Sequence, residues 1–385
     1  MKLKHRPEDF QVDEQLADVP RGGPFALYRL TKRGLGTPEA IQAVCKHWRV
    51  RRDQVSYCGL KDRHAVTTQW VAIRGGPRRN LRETNLELVH VDSVARPLQS
   101  TDIAANRFQI TLRDLDPQQV EAMAEQAQLA ARDGLPNYFD RQRFGSLGES
   151  GEFMARAWCE RRHERALWLG LADPMAADRP DDRVQKQLLR ERWGQWAWLA
   201  ANLAPSPRRE AAAWLASHAD DFRRAVVAIP VTQRRLFIEA FQSHLWNHLL
   251  TGLLRNLCRP EQLLDRAIAG QTVAFYRGLD DAQRQQLAAA RLPLPSSRTR
   301  LEDGPMKTLV DTTLAELGLS LRDLEIRYPR DSFFSKGDRA AVFFPQSLRG
   351  DPADDDIYAD RRKLVLAFDL PRGCYATILV GRLTG

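Results

Sequence analysis

The chain has 385 residues, 43% of them hydrophobic and 28% charged, and a formal net charge of +9. This balance indicates a soluble globular protein of two or three domains, and the positive charge favours an anionic partner, nucleic acid before lipid. No stretch approaches the ~18 consecutive apolar residues of a membrane span, and the charged N-terminus lacks the apolar run of a secretory leader. The cysteines, Cys45, Cys58, Cys159, Cys258 and Cys374, lie far apart without metal-ligand spacing. Reduced thiols in a cytoplasmic protein are therefore expected.

The first residues carry Lys2, Lys4, His5 and Arg6, then Pro7-Glu8-Asp9-Phe10. They read as a basic arm on phosphates or as a tail. Phe25 to Leu30 is a short strand. At Thr37-Pro38 a helix is expected, with Thr37 as cap, Pro38 at its first position and Ile41, Val44, Cys45 and Trp48 on its apolar face. Val55 to Tyr57 reads as a strand end, and Gln69 to Ile73 as another strand. Between them Gly59 allows a tight turn, and Lys61-Asp62-Arg63-His64 sit on the resulting loop. Flanking cations favour an ionised carboxylate, and a positioned carboxylate serves as nucleophile or general base. Composition alone would make the same run a solvated charged turn. Thr67, Thr68 and Gln69 are placed to fix the loop backbone.

Gly75-Gly76-Pro77 is a turn ringed by Arg74, Arg78, Arg79 and Arg82, a set suited to a phosphate backbone. Leu86 to Val91 and Asn106 to Leu112 read as strands, and Asp116-Pro117 caps a helix to about Arg132. Asn137-Tyr138-Phe139-Asp140-Arg141-Gln142-Arg143-Phe144-Gly145 interleaves aromatic and cationic groups, which suits base stacking as well as an ordinary packed turn. Helical stretches follow, with Trp193, Trp196 and Trp198 read as core. The longest expected helix runs from Gln233 to about Asn256. Its His244 and His248 lack the glutamate of a zinc motif. Arg291 to Pro305 reads as a linker or an RNA-facing loop, Thr308 to Leu317 as a helix with a short second one from Leu319, and Ala340 to Phe344 and Lys363 to Leu370 as strands.

The run Gly59-x-Lys61-Asp62-x-x-Ala65-x-Thr67-x-Gln69 closely resembles the signature of the TruD family of pseudouridine synthases. In that family the aspartate of this motif is catalytic, which implies Asp62. Lys4 followed by Pro7-Glu8-Asp9-Phe10 resembles the family's first motif, whose lysine lies near the catalytic aspartate. The stretch from Asn137 to Gly145 resembles a third, whose asparagine and phenylalanine border the active site and match Asn137 and Phe139. Phenylalanine stands there where related families usually place a base-stacking tyrosine. Arg234, Ala240, Gln242, Ser243, Leu245 and Asn247 resemble a motif of the family's inserted domain, and Pro371-x-Gly373-x-Tyr375-Ala376-Thr377 its terminal motif. Two departures are local: Gly148-Glu149-Ser150-Gly151 replaces a frequent Gly-x-Asn, and Gly381-Arg382 an Arg-Glu pair.

The resemblance implies an α+β fold. A pseudouridine synthase core with a mixed, largely antiparallel sheet would occupy residues 1–154 and 336–385, and a TruD-type α/β domain would be inserted over 155–335. It also implies isomerisation of uridine to pseudouridine in tRNA, at position 13 of the D-arm, by Asp62 with support from Lys4, Asn137 and Phe139. Lys61, Arg63, Arg74, Arg78, Arg79, Arg82 and Arg143 are the expected RNA contacts. No cofactor, metal or membrane is expected, and the protein is expected to be monomeric. Two other classes compete. An inert RNA-binding protein would need no aspartate motif. A methyltransferase would need a cofactor-binding glycine loop, which Lys32-Arg33-Gly34-Leu35-Gly36-Thr37 does not supply.

Overall fold

The computed structural model describes residues 1–384. The chain divides into two compact units, one made of Met1–Leu135 with the segment from Phe343 onward, the other of Pro136–Val342.

The first unit is built on one sheet. Its strands, in spatial order, are Gln346–Asp354, Arg362–Pro371, Ile103–Leu115, Phe10–Leu16, Val66–Arg74, Arg21–Arg33, Leu86–Val94 and Leu81–Glu83. Neighbours along this path run antiparallel except in the middle, where Phe10–Leu16 lies parallel to Val66–Arg74 with Gln11 opposite Val66. Alternation decides what each face buries. Ala26, Tyr28 and Leu30, with Val71 and Ile73 beside them, bury against Ala40, Ile41 and Val44 of the helix Thr37–Trp48. Leu27 and Ala72 point the other way, into a smaller cluster with Cys58, Val94 and Leu98. The helix Pro117–Asp133 is capped by the Asp116 side chain, which accepts from the Gln119 N–H, as expected.

The second unit is mainly helical. Its longest helix, Val231–Leu257, buries Phe237, Phe241, Leu245, Leu249 and Leu254. A hairpin pairs Leu263–Ile268 with Gln271–Tyr276, and Arg291–Pro293 pairs with Asp338–Ala340.

Four local readings change. Thr37 does not cap its helix: Gly36 holds the cap position, and the threonine hydroxyl is used elsewhere. Trp198 is 37% exposed and lies under the Arg192 guanidinium rather than in a core. The short helix expected from Leu319 is a single 3-10 turn at Leu321–Asp323. The edge strand Gln346–Asp354 was not expected, because an edge exposed to solvent tolerates polar residues throughout.

Candidate active site

The loop from Cys58 to Ala65 joins the strand Val55–Tyr57 to the strand Val66–Arg74. Side chains from neighbouring elements hold its backbone. Gln69, fully buried, donates from Nε2 to the Gly59 carbonyl (3.2 Å) and accepts from the Thr37 hydroxyl (2.7 Å). The same hydroxyl accepts from the Lys61 N–H (3.0 Å). One threonine on the helix thus ties the loop to the strand that follows it. Thr68 bonds Thr31 across the strands (3.1 Å), while the buried Thr67 hydroxyl has no partner, so of the three polar residues expected to fix the loop only Gln69 reaches it.

The Asp62 carboxylate projects from this loop and accepts from Lys4 Nζ at 2.7 Å, with 31% and 26% of the two side chains exposed. A charge-assisted bond of this length fixes the carboxylate's direction. The Lys4 ammonium also lies 3.8 Å from the centre of the Phe10 ring. The N-terminal segment is not a loose tail. Lys2 and Leu3 pair with Arg113 and Leu112, and buried Arg113 donates to Asp9 (2.9 Å) and Asp355 (2.8 Å).

Below the loop lie two buried charges. Lys32, 1% exposed, donates to the carbonyls of Leu35 (2.6 Å) and Asp62 (2.8 Å), and more distantly to that of Lys61 (3.4 Å). Its ammonium therefore grips the backbone of the residue whose side chain Lys4 grips. Burial pushes its pKa down to about 8, partly opposed by the attraction of Asp62. Glu14, fully buried, forms an ion pair with Lys61 and accepts from the Trp70 N–H (3.1 Å). Lys61 is thus not the RNA-facing cation the sequence suggested. Its charged end is turned inward, where a carboxylate compensates the cost of burial.

The other expected cations remain on the surface. Arg63 is exposed and 3.6 Å from Glu39, Arg74, Arg78 and Arg79 are exposed, and Arg82 is held by Glu87 at 2.6 Å. Among the described residues no cluster of three or more His, Cys, Asp or Glu side chains suits a metal ion, and no helix is long and apolar enough to cross a membrane.

In the second unit, Phe139 is 8% exposed, packed edge-on against Trp246 and covered by the Arg339 guanidinium 4.3 Å from its centre. Asn247 clamps it: its Oδ1 accepts from the Phe139 N–H and its Nδ2 donates to the Phe139 carbonyl, both at 2.9 Å. Asn137 is spent on structure, donating to the Ala340 carbonyl (3.0 Å) and accepting from Arg339. Arg143 pairs with Glu239 (2.5 Å) and lies 5.4 Å from the Phe139 ring centre. Buried Arg234 and Gln242 likewise serve the fold, on Asp331 and on the carbonyls of Pro295 and Ser335.

Comparison with known proteins gives this arrangement its context. The family model described as tRNA pseudouridine synthase D (TruD) matches residues 1–383. The chain belongs to the TruD family of tRNA pseudouridine synthases. It is 28% identical over 390 residues to a probable tRNA pseudouridine synthase D 1 of Methanococcus maripaludis, covering 100% of this chain and 99% of the relative. It is 25% identical over 394 residues to the tRNA pseudouridine synthase D of Aquifex aeolicus, covering 100% and 98%. The crystal structure of a putative TruD protein from Methanosarcina mazei superposes with a TM-score of 0.75 at 22% identity, covering 100% of this chain and 93% of that one, and shares the fold. The mixed, largely antiparallel sheet is the fold expected for a TruD protein.

Glu14, Lys32 and the linking role of Thr37 escaped the reading of the sequence. A signal for the first two was present. Glu14 is in phase with buried Phe10 and Val12, and Lys32 with buried Ala26, Tyr28 and Leu30. A charge in the apolar phase of a strand demands a partner.

Lys32 yields a pH prediction. Its folded pKa of about 8 lies below the ordinary 10.5. As pH rises between these values the folded protein sheds a proton that the unfolded chain keeps, so this residue's contribution to stability becomes more favourable. Over the same range a neutral amine keeps only two N–H groups, and its hold on the loop weakens. Turnover is expected to fall with a midpoint near pH 8 while thermal stability does not fall with it. Lys32→Met should be slow at every pH and lack that limb. A rate–pH profile in which both proteins share the same alkaline limb would remove Lys32 from this role.

Proposed function

We propose that this TruD-family protein isomerises uridine to pseudouridine in tRNA, at position 13 of the D-arm, with Asp62 as the catalytic carboxylate. The observation that carries the reading is the Asp62 side chain itself: paired with Lys4 at 2.7 Å, partly open to solvent and mounted on a loop held from beneath by Lys32, Thr37 and Gln69. In the reaction the bond from C1′ to N1 of uracil breaks, the base turns, C1′ bonds C5, C5 loses its proton and N1 gains one. An ionised Asp62 serves either route, attack on C1′ or removal of the C2′ proton. Lys4 keeps the carboxylate aimed. The change is an isomerisation with no net oxidation or reduction.

Flipping a uridine out of its stack costs on the order of a few kcal/mol. Phe139, its backbone clamped by Asn247, is the proposed stacking partner that offsets part of this cost. Base–aromatic stacking is worth roughly 1–3 kcal/mol. Phe139→Leu should therefore retain more single-turnover activity than Phe139→Ala at temperatures where both are folded. Equal wild-type rates for both would make Phe139 a packing residue only. We place the catalytic core on residues 1–154 and 336–385 and the inserted domain on 155–335. Arg63, Arg74, Arg78 and Arg79, all exposed, are proposed phosphate contacts.

The test is to incubate the purified protein with unmodified total tRNA and map pseudouridine by position. New pseudouridine at position 13 supports the whole reading. Product only elsewhere keeps the chemistry and overturns the target. Tight binding with no product from any RNA points to an inert RNA-binding protein.

A further inference from the structure

A cavity of about 240 Å³ in the second unit has a lining suited to an anion. Trp158 lines it from the helix Met154–Cys159, Arg161 from the turn that follows, His163 from the start of the helix His163–Leu171 and Arg223 from the helix Phe222–Ala225, together with Arg327 and Tyr328. Three features point to a ligand. First, Trp158 is 2% exposed and its indole N–H has no acceptor, although a buried donor without one is costly. The Nδ1 of His163 is also buried and unpartnered. Second, among the described residues no carboxylate pairs with Arg161 or Arg223; the latter covers the Tyr328 ring, 5.0 Å away. Third, the nine-residue helix His163–Leu171 starts at the cavity without a side-chain cap, leaving first-turn N–H groups for an anion. One carboxylate shares the lining, Glu325, and it is held by Arg327 at 2.8 Å. Asp221 acts on His163 from nearby, but burial, Arg223 and Arg161 outweigh it and hold that imidazole below its ordinary pKa.

We propose that this cavity binds one phosphate group of an RNA backbone. The volume is smaller than the ~300–1,000 Å³ usual for small-molecule sites, which suits a single group better than a whole nucleotide. Arg161 and Arg223 supply the charge, and the Trp158 indole and the helix amides supply directed donors. RNA as the source of the phosphate rests on the proposed tRNA substrate; the phosphate chemistry does not.

The indole N–H resonance of Trp158 in the full chain, identified by its loss in Trp158→Phe, reads the site directly. Unmodified tRNA and inorganic phosphate should both shift it, and Arg223→Gln should remove both shifts. Arg161→Gln and Arg223→Gln should each weaken all tRNAs alike and lower the slope of log affinity against log salt by about 1. A resonance that neither probe moves would overturn the site. A response to inorganic phosphate but not to tRNA would overturn RNA as the source. The outcome is separable from that of the proposed reaction: pseudouridine formation with a silent Trp158 rejects this site alone, whereas a responsive Trp158 without product from any RNA rejects the reaction alone.

Discussion

Asp62→Asn is expected to abolish pseudouridine formation while leaving tRNA affinity close to that of the wild type. The amide keeps the size of the carboxylate but can neither attack C1′ nor accept a proton from C2′. Loss of a catalytic base or nucleophile of this kind costs on the order of 10²–10⁴-fold or more. The ion pair with Lys4 becomes a contact between the ammonium and a neutral amide, and Lys4 is not stranded, because both side chains are partly exposed already. Stability should change little. Affinity should persist because the proposed phosphate contacts are spread over several cations. Single-turnover assays with site-mapped product and a parallel binding titration decide the matter. Appreciable turnover by pure Asp62→Asn protein would remove Asp62 from the chemistry.

The second large effect is expected on stability, from Glu14→Ala. Glu14 is fully buried, and Lys61, its partner, has a side chain 8% exposed. Truncating the acid strands the ammonium and leaves the Trp70 N–H without its acceptor. Breaking a buried pair from one side costs about 3–5 kcal/mol. The melting temperature should fall on the order of 10 °C, given roughly 2–4 °C per kcal/mol in a unit of this size. Adding Lys61→Met should restore part of the loss, since no unpaired charge then remains inside. A Glu14→Ala protein melting within about 1 °C of the wild type would show that Lys61 escapes to water and that the pair contributes little.

Much of the site's frame was legible in the sequence because its signals are local. Gly59, the β-branched and aromatic residues from Gln69 to Ile73, and the Asp116-Pro117 start of a helix each act over a few positions. The family motif singled out Asp62 and Lys4, and the structure brings them to 2.7 Å. What could not be read is where a polar side chain spends its hydrogen bonds. Thr37 stands where a capping residue belongs, yet its hydroxyl has a better use between Gln69 and the Lys61 N–H. Lys61 looked like a surface cation in a charged run, and only the register of the neighbouring strand reveals the carboxylate beneath it. Asn247 showed no chemical role in sequence, because the backbone it clamps lies more than a hundred positions earlier in the chain.

The parallel pairing of Phe10–Leu16 with Val66–Arg74 has a consequence for how the site is assembled. Parallel strands are entered from the same end, so the segments leading into them, one carrying Lys4 and the other Asp62, arrive side by side although 58 positions separate the two residues. The ion pair is therefore a gauge of alignment. A slip of one residue between Gln11 and Val66 would move Lys4 by about 3.3 Å along the strand and send every following side chain to the opposite face. Glu14 would then leave Lys61, and Lys4 would leave Asp62, in a single step. Misaligned chains would be silent rather than sluggish, and the active fraction of a refolded preparation would count the molecules whose two strands had found each other correctly.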